Sequence, residues 1–293
     1  MDNQRLILFV ALGLLFLMLW QSWVEYSSPT QPVHTNLESV NGDIVDKGSI
    51  PETPKLSSDT PSLMQDSETQ VINKKPTGET VLVETDTLKV ELNTFGAGIN
   101  KAWLKKYTVD IDHPDDLFQL MNDSGEDIYQ AQGGLLVQNR EFPSHKTLFT
   151  SSKKSYRLGD GKDALDVEFV WNSADGITYK KIYSFKRDSY MIDINYKVFN
   201  TSSSEWVGYQ YNQFKRSQPE TQSSFNPATM VPSYTGGAIY DLQDKYRKIN
   251  FSDMQEENLS TLTTNGWVGM LQHYFVGAWL LEGDSKYEIF SNN

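Results

Sequence analysis

DALDVEFVWNSADGITYKKIYSFKRDSYMIDINYKVFN, residues 163–200, is the stretch whose reading decides the fold. Leu165, Val167, Phe169 and Trp171 alternate with mostly polar neighbours. After the polar span 172–176 come Ile177, Tyr179, Tyr183 and Phe185, interrupted by Lys181; after 186–189 come Tyr190, Ile192, Ile194, Tyr196 and Val198. Successive side chains of a strand point to opposite faces, so period-two runs of this length joined by short turns predict an antiparallel meander with one buried face. On a helix the same residues would lie all round the circumference.

Working outward, the alternation recurs at Val81 and Val83, at Leu88, Val90 and Leu92, and at Ile99 and Ala102-Trp103-Leu104, with further short candidates at 117–121, 127–130, 205–211, 267–275 and 287–290. The expected class is all-β, a large antiparallel sandwich. Between Phe95 and Gly98 the Gly96-x-Gly98 pair has no third glycine and no helix after it, which predicts a tight turn or bulge with positive φ rather than a phosphate-cradling loop. The span 213–262 is polar and turn-rich, with Pro219, Pro227 and Pro232; it predicts exposed connecting loops and a short helix over 241–247. Residues 265–279, NGWVGMLQHYFVGAW, are too short and too polar for a membrane span and predict a strand pair covered on both faces.

The amino-terminal end has another texture. Residues 6–24, LILFVALGLLFLMLWQSWV, begin at Leu6 and carry no charge. At 1.5 Å per residue such a helix spans roughly 28 Å, against about 30 Å for a bilayer core. No small-x-small cleavage pattern follows; instead Trp20, Trp23 and Tyr26 supply the aromatic belt of a headgroup region. Arg5 on the amino side keeps residues 1–5 in the cytoplasm by the positive-inside rule and sends the rest outward. Residues 25–79 are rich in Ser, Thr, Pro and acidic side chains, with prolines at 29, 32, 51, 54, 61 and 76, and predict a disordered linker ahead of a domain over 80–293.

A net charge of -12 and no Arg-rich face argue against nucleic acid as a partner. With no Cys there is neither a disulfide framework nor a thiolate metal site. The four histidines, His34, His113, His145 and His273, share no metal-ligand spacing, and no nucleophile elbow or P-loop occurs. No catalytic residue, metal site or cofactor is therefore assigned. Trp171, Tyr179, Tyr183, Tyr190 and Tyr196 are able to line a sugar site, although core packing is the commoner role of inward aromatics.

Several blocks resemble the YidC-Oxa membrane-protein insertases in their Gram-negative form. Met1-Asp2-Asn3-Gln4-Arg5 with the apolar run closing on Trp20 is similar to that family's first transmembrane helix. Asn93-Thr94-Phe95-Gly96 resembles its first periplasmic turn, with Ala97 where a second Gly is usual. Phe185-Lys186-Arg187-Asp188-Ser189-Tyr190 with Asn195-Tyr196-Lys197-Val198-Phe199-Asn200 resembles its central hairpin, and Gly236-Gly237-Ala238 a loop motif. Gly266-Trp267, Met270-Leu271-Gln272, Tyr274-Phe275 and Ala278-Trp279 form the fourth block, with Asn265 in place of a usual Gly and Leu281 of a usual Pro.

The resemblance implies an inner-membrane protein whose bulk is a periplasmic β-super-sandwich, related to mutarotase-like sandwiches. It implies an insertase or chaperone rather than an enzyme, with no cofactor. The implied partners are the lipid bilayer, the Sec translocon with its accessory subunits and nascent inner-membrane proteins. The family's later helices, which form its insertion groove, have no counterpart before Asn293, so the chain as written is expected to lack insertion activity by itself. The alternative from another class is a membrane-anchored carbohydrate-binding or mutarotase-like protein, which requires a His and a carboxylate converging in a cleft.

Overall fold

The computed structural model describes residues 17–20, 78–137, 140–218, 234–272, 274–281, 283 and 285–292. Residues 17–20, ending at Trp20, are helical. Arg5, Leu6, Trp23 and Tyr26 lie outside the described residues, as do linker residues 25–77 and His34. No described helix is long and apolar enough to cross a membrane.

From residue 80 onward the described chain is built of strands gathered into four sheets. The largest runs β11 (Gly208–Arg216), β5 (Tyr129–Val137), β3 (Gly98–Thr108), β2 (Leu88–Asn93), β1 (Thr80–Glu84) and β7 (Ser155–Arg157), with β4 (Leu117–Met121) also paired to β3. The second runs β10 (Ile192–Asn200), β9 (Ile177–Lys186), β8 (Ala164–Asn172) and β6 (Thr150–Ser151). The third runs β13 (Lys245–Ile249), β12 (Gly236–Asp241), β15 (Gly266–Gln272) and β16 (Phe275–Leu281), and β14 (Ser260–Thr263) pairs with β17 (Tyr287–Phe290). One short helix, α1 (Phe251–Glu256), stands between β13 and β14.

The meander expected over 163–200 is β8-β9-β10, antiparallel and in unbroken register from Ala164↔Lys186 to Asn172↔Thr178 and from Ile192↔Phe185 to Asn200↔Ile177. Its inward residues Val167, Phe169, Tyr183 and Phe185 join Val81, Val83, Val90, Leu92 and Ile99 of the largest sheet in one core. This is sheet-on-sheet packing, in which the inner faces interdigitate. Lys181 does not interrupt the alternation: it lies in phase with Ile177, Tyr179, Tyr183 and Phe185, on the buried face. Not every pair is antiparallel, because β1 and β7 run parallel, Leu82↔Ser155 to Glu84↔Arg157.

Three expectations are corrected. Residues 241–247 form no helix; they are the turn and opening of the β12-β13 hairpin. Asp241 Oδ1 accepts the Gln243 and Asp244 N–H groups at 2.9 and 2.6 Å, and Oδ2 accepts Arg247 Nη2 at 3.0 Å. A side chain that takes up those backbone donors stabilises the turn in competition with a helix. The span 213–262 is likewise not all exposed loop: Ala238 and Ile239 of β12 are fully buried, while Pro219, Pro227 and Pro232 lie outside the described residues. Finally, 265–279 does form two strands, β15 and β16, but they are not covered on both faces. Met270, Phe275 and Trp279 pack on the core, whereas Val276 and Leu280 on the opposite face remain 47% and 49% exposed and Tyr274 between the strands 83%.

Candidate functional site

The polar centre of the sandwich is built around Lys181 on β9, a side chain only 1% exposed. Its Nζ donates to the carbonyl oxygens of Gly133 at 3.2 Å and Gly96 at 3.5 Å, and stands 5.3 and 5.7 Å from the ring centres of Tyr183 and Tyr196. Carbonyl dipoles and ring faces thus replace a carboxylate in holding the amine. Burial pushes its pKa down to about 7, because the low-dielectric interior disfavours the ammonium form.

Tyr183, two residues along the same face, donates its hydroxyl to the Ala97 carbonyl. The 95–98 turn presents the Gly96 and Ala97 carbonyls because its backbone turns left-handed, φ 78° at Gly96 and 44° at Ala97. A Cβ at Gly96 would overlap the His145 carbonyl oxygen, so the close approach of segment 143–149 requires glycine there. Ala97, fully buried, holds a φ that favours glycine, at the position where the resemblance leads one to expect it.

Tyr196 of β10 and Tyr211 of β11 complete the cluster. The Tyr196 hydroxyl is buried with no hydrogen-bond partner among the described residues, and burial raises its pKa well above the ordinary value. Tyr211 holds His145: its hydroxyl accepts the His145 backbone N–H at 3.0 Å and lies 2.7 Å from Nδ1. Burial, and then Lys146, Lys181 and Lys215, lower the His145 pKa.

The other singled-out residues are dispersed. His113 pairs with Asp110 at 3.2 Å on the exposed connection between β3 and β4, and His273 lies outside the described residues. Trp267 lies between Tyr240 and Tyr246, with ring centres 6.5 and 6.1 Å away. Tyr179 and Tyr183 are core residues; Trp171 packs on Tyr179 at 5.4 Å, and Tyr190 sits near the surface beside Tyr107. Among the described residues no group of three or more His, Asp and Glu side chains gathers to hold a metal ion.

The chemistry that a mutarotase-like reading requires, a histidine and a carboxylate facing one substrate, does not form around His145. The charges that bear on it are all lysines. Sequence reasoning missed Lys181 as a site residue, although a lysine in phase with four buried positions was the available signal. Tyr211 carried no signal beyond its place in a strand.

Comparison with known proteins assigns the whole described domain. The family model of the YidC periplasmic domain matches residues 80–293. Proteins named membrane protein insertase YidC match nearly the whole chain. That of Methylobacillus flagellatus is 35% identical over 292 residues, covering 99% of this chain and 51% of the relative. That of Methylococcus capsulatus is 34% identical over 281 residues, covering 96% and 49%, and that of Marinomonas sp. 35% over 297 residues, covering 98% and 52%. The chain thus spans about half the length of the curated relatives it matches. The β-sandwich of residues 80–293 is a YidC periplasmic domain, and the chain belongs to the YidC family.

Proposed function

We propose that this chain is the amino-terminal portion of a membrane protein insertase that assists the insertion and folding of inner-membrane proteins, alone or with the Sec translocon and its accessory subunits. Residues 6–24 anchor it in the inner membrane, with Arg5 on the cytoplasmic side and Trp20, Trp23 and Tyr26 at the outer headgroup level. Residues 25–79 tether the domain, and the sandwich of 80–293 faces the periplasm. The protein works as a chaperone by binding, without covalent chemistry. The observation that carries this reading is that the similarity to relatives named insertases covers 99% of the chain, so it takes in the apolar run and the tether as well as the domain.

The test is to isolate the full chain from cells bearing arrested nascent inner-membrane proteins after lysine cross-linking. The chain is expected in the carbonate-resistant membrane fraction, cross-linked to nascent chains and translocon subunits, and protease added to spheroplasts should remove the domain. Recovery as a soluble, processed domain, or as a membrane protein that captures polysaccharide and no nascent chain, overturns the reading.

A further inference from the structure

Segment 143–149 is laid on the largest sheet by backbone contacts. Leu135 N–H donates to the Pro143 carbonyl at 2.9 Å, Gly96 N–H to the Thr147 carbonyl at 2.7 Å and Phe149 N–H to the Thr94 carbonyl at 2.8 Å, while Phe95 bridges Leu148. His145 adds a side-chain tie to Tyr211, and the geometry of that tie specifies a protonation state. The phenol oxygen accepts the His145 backbone N–H at 3.0 Å and lies 2.7 Å from Nδ1. A phenol has a single proton to donate. It satisfies both contacts by giving that proton to an unprotonated Nδ1, which leaves a neutral imidazole with its hydrogen on Nε2. An imidazolium carries hydrogens on both nitrogens. Nδ1–H would then meet an oxygen that already faces a donor, and the phenol proton would lose its acceptor.

Among the described residues no carboxylate bears on the ring to compensate the charged form. Lys146 bears on it from its own segment, Lys181 from β9 and Lys215 from β11, and the neutral phenols are Tyr211 on β11 with Tyr196 beside it on β10. The 95–98 turn offers the Gly96 backbone, which touches the His145 carbonyl, and β5 offers the Gly134 backbone against Ser144 and the Tyr211 hydroxyl; neither carries charge.

We propose that the His145–Tyr211 pair is an acid-released clasp: neutral His145 holds segment 143–149 on β5, β11 and the 95–98 turn, and protonation of the imidazole frees it. Lys181 bears on the ring from β9, so a cation on the buried amine opposes a charge on the imidazole. Release uncovers the Gly96 and Gly134 backbone and opens the seam in which Lys181, Tyr196 and Tyr211 lie. The clasp is independent of the insertase reading, since it rests on contacts within the domain alone.

The test is amide hydrogen exchange in the full chain at pH 7.5 and pH 4.5, corrected for intrinsic rates and read at Gly96, Leu135 and Phe149. These amides are expected to exchange at least tenfold faster at pH 4.5. His145→Asn retains an acceptor for the phenol and cannot titrate, so it should show no such change. Tyr211→Phe should be open already at pH 7.5, which keeps the idea testable if the Asn variant does not fold. Lys181→Met removes a neighbouring cation and should move the opening midpoint to higher pH. Unchanged protection in the wild type at pH 4.5, full protection of Tyr211→Phe at pH 7.5, the same opening in His145→Asn, or loss of opening in Lys181→Met would each overturn the clasp.

Discussion

At the scale of single residues, burial of Lys181 carries an electrostatic cost that depends on pH. Its folded-state pKa, about 7, lies below the 10.5 of an unburied lysine. Below pH 7 both folded and unfolded states hold the proton, and the full penalty of burying the ammonium is present. Between pH 7 and 10.5 the unfolded state binds a proton that the folded state does not, so this group makes stability rise with pH, by at most about 1.4 kcal/mol per pH unit. Lys181→Met lacks that slope. Denaturant melts at pH 6, 8 and 9.5 should therefore show the wild type gaining on the variant at each step, and parallel curves would contradict the buried amine. Tyr183 and Tyr196, both raised by burial, are shared by wild type and variant, so their ionisation in the unfolded chain cancels in the comparison. That Lys181 faces inward was legible in the sequence from its phase. That carbonyls and rings rather than a carboxylate receive it was not, since Gly96 and Gly133 reach it from 85 and 48 residues away along the chain.

At the scale of elements, two strand features are open to measurement. Gly266 opens β15 with φ 133°, and a Cβ there would overlap the Tyr240 carbonyl oxygen of the paired β12. Gly266→Ala should cost clearly more than about 1 kcal/mol, because both the backbone angle and the approach of β12 exclude a side chain. Gly161, also at positive φ (72°) but with nothing within 4 Å of where a Cβ would stand, should lose only about 1 kcal/mol as Ala in the same melts. The second feature is the two-sidedness of β16. Phe275 packs on Phe118 and Tyr107, with ring centres 4.4 and 5.0 Å apart, whereas its neighbour Val276 faces outward. Phe275→Ala should cost about 2–3 kcal/mol, below the 3–5 of a fully buried aromatic, and Val276→Thr should stay within about 0.5 kcal/mol. Equal losses at both positions would mean that the outer face of β16 is covered as well. The run Val268, Met270, Leu271, Val276 and Ala278 reads as apolar on both sides, and an apolar side chain is not proof of cover, since much of any protein surface is apolar.

At the scale of the whole molecule, the core is continuous across sheets. Val90 and Leu92 of the largest sheet and Val167, Phe169 and Tyr183 of the second belong to one buried cluster, and the half-buried Met270, Phe275 and Trp279 of the third pack against it. A shared core makes separate unfolding of one sheet costly, so Trp fluorescence, near-UV circular dichroism and far-UV circular dichroism should report a single melt. Leu92→Ala and Phe169→Ala, in different sheets, should each shift all three probes together, by about 2–5 kcal/mol; an early transition seen by one probe alone would show that the third sheet melts by itself. The sequence alone determined the all-β class, the meander of 163–200 and the onset of strands at Thr80, because alternation, turn residues and a change of composition are local and survive without tertiary context. The family too was legible, in the order and spacing of short blocks. Only the tertiary structure decided that 241–247 is a hairpin turn held by Asp241, that β1 runs parallel to β7, that one face of β16 is open, and that Lys181, His145, Tyr196 and Tyr211 meet. Apart from the Asp241 turn, whose partners lie within six residues, each of these depends on which distant backbone comes alongside, and a strand carries no local record of its neighbour: its side chains state which face seeks cover, not what provides it.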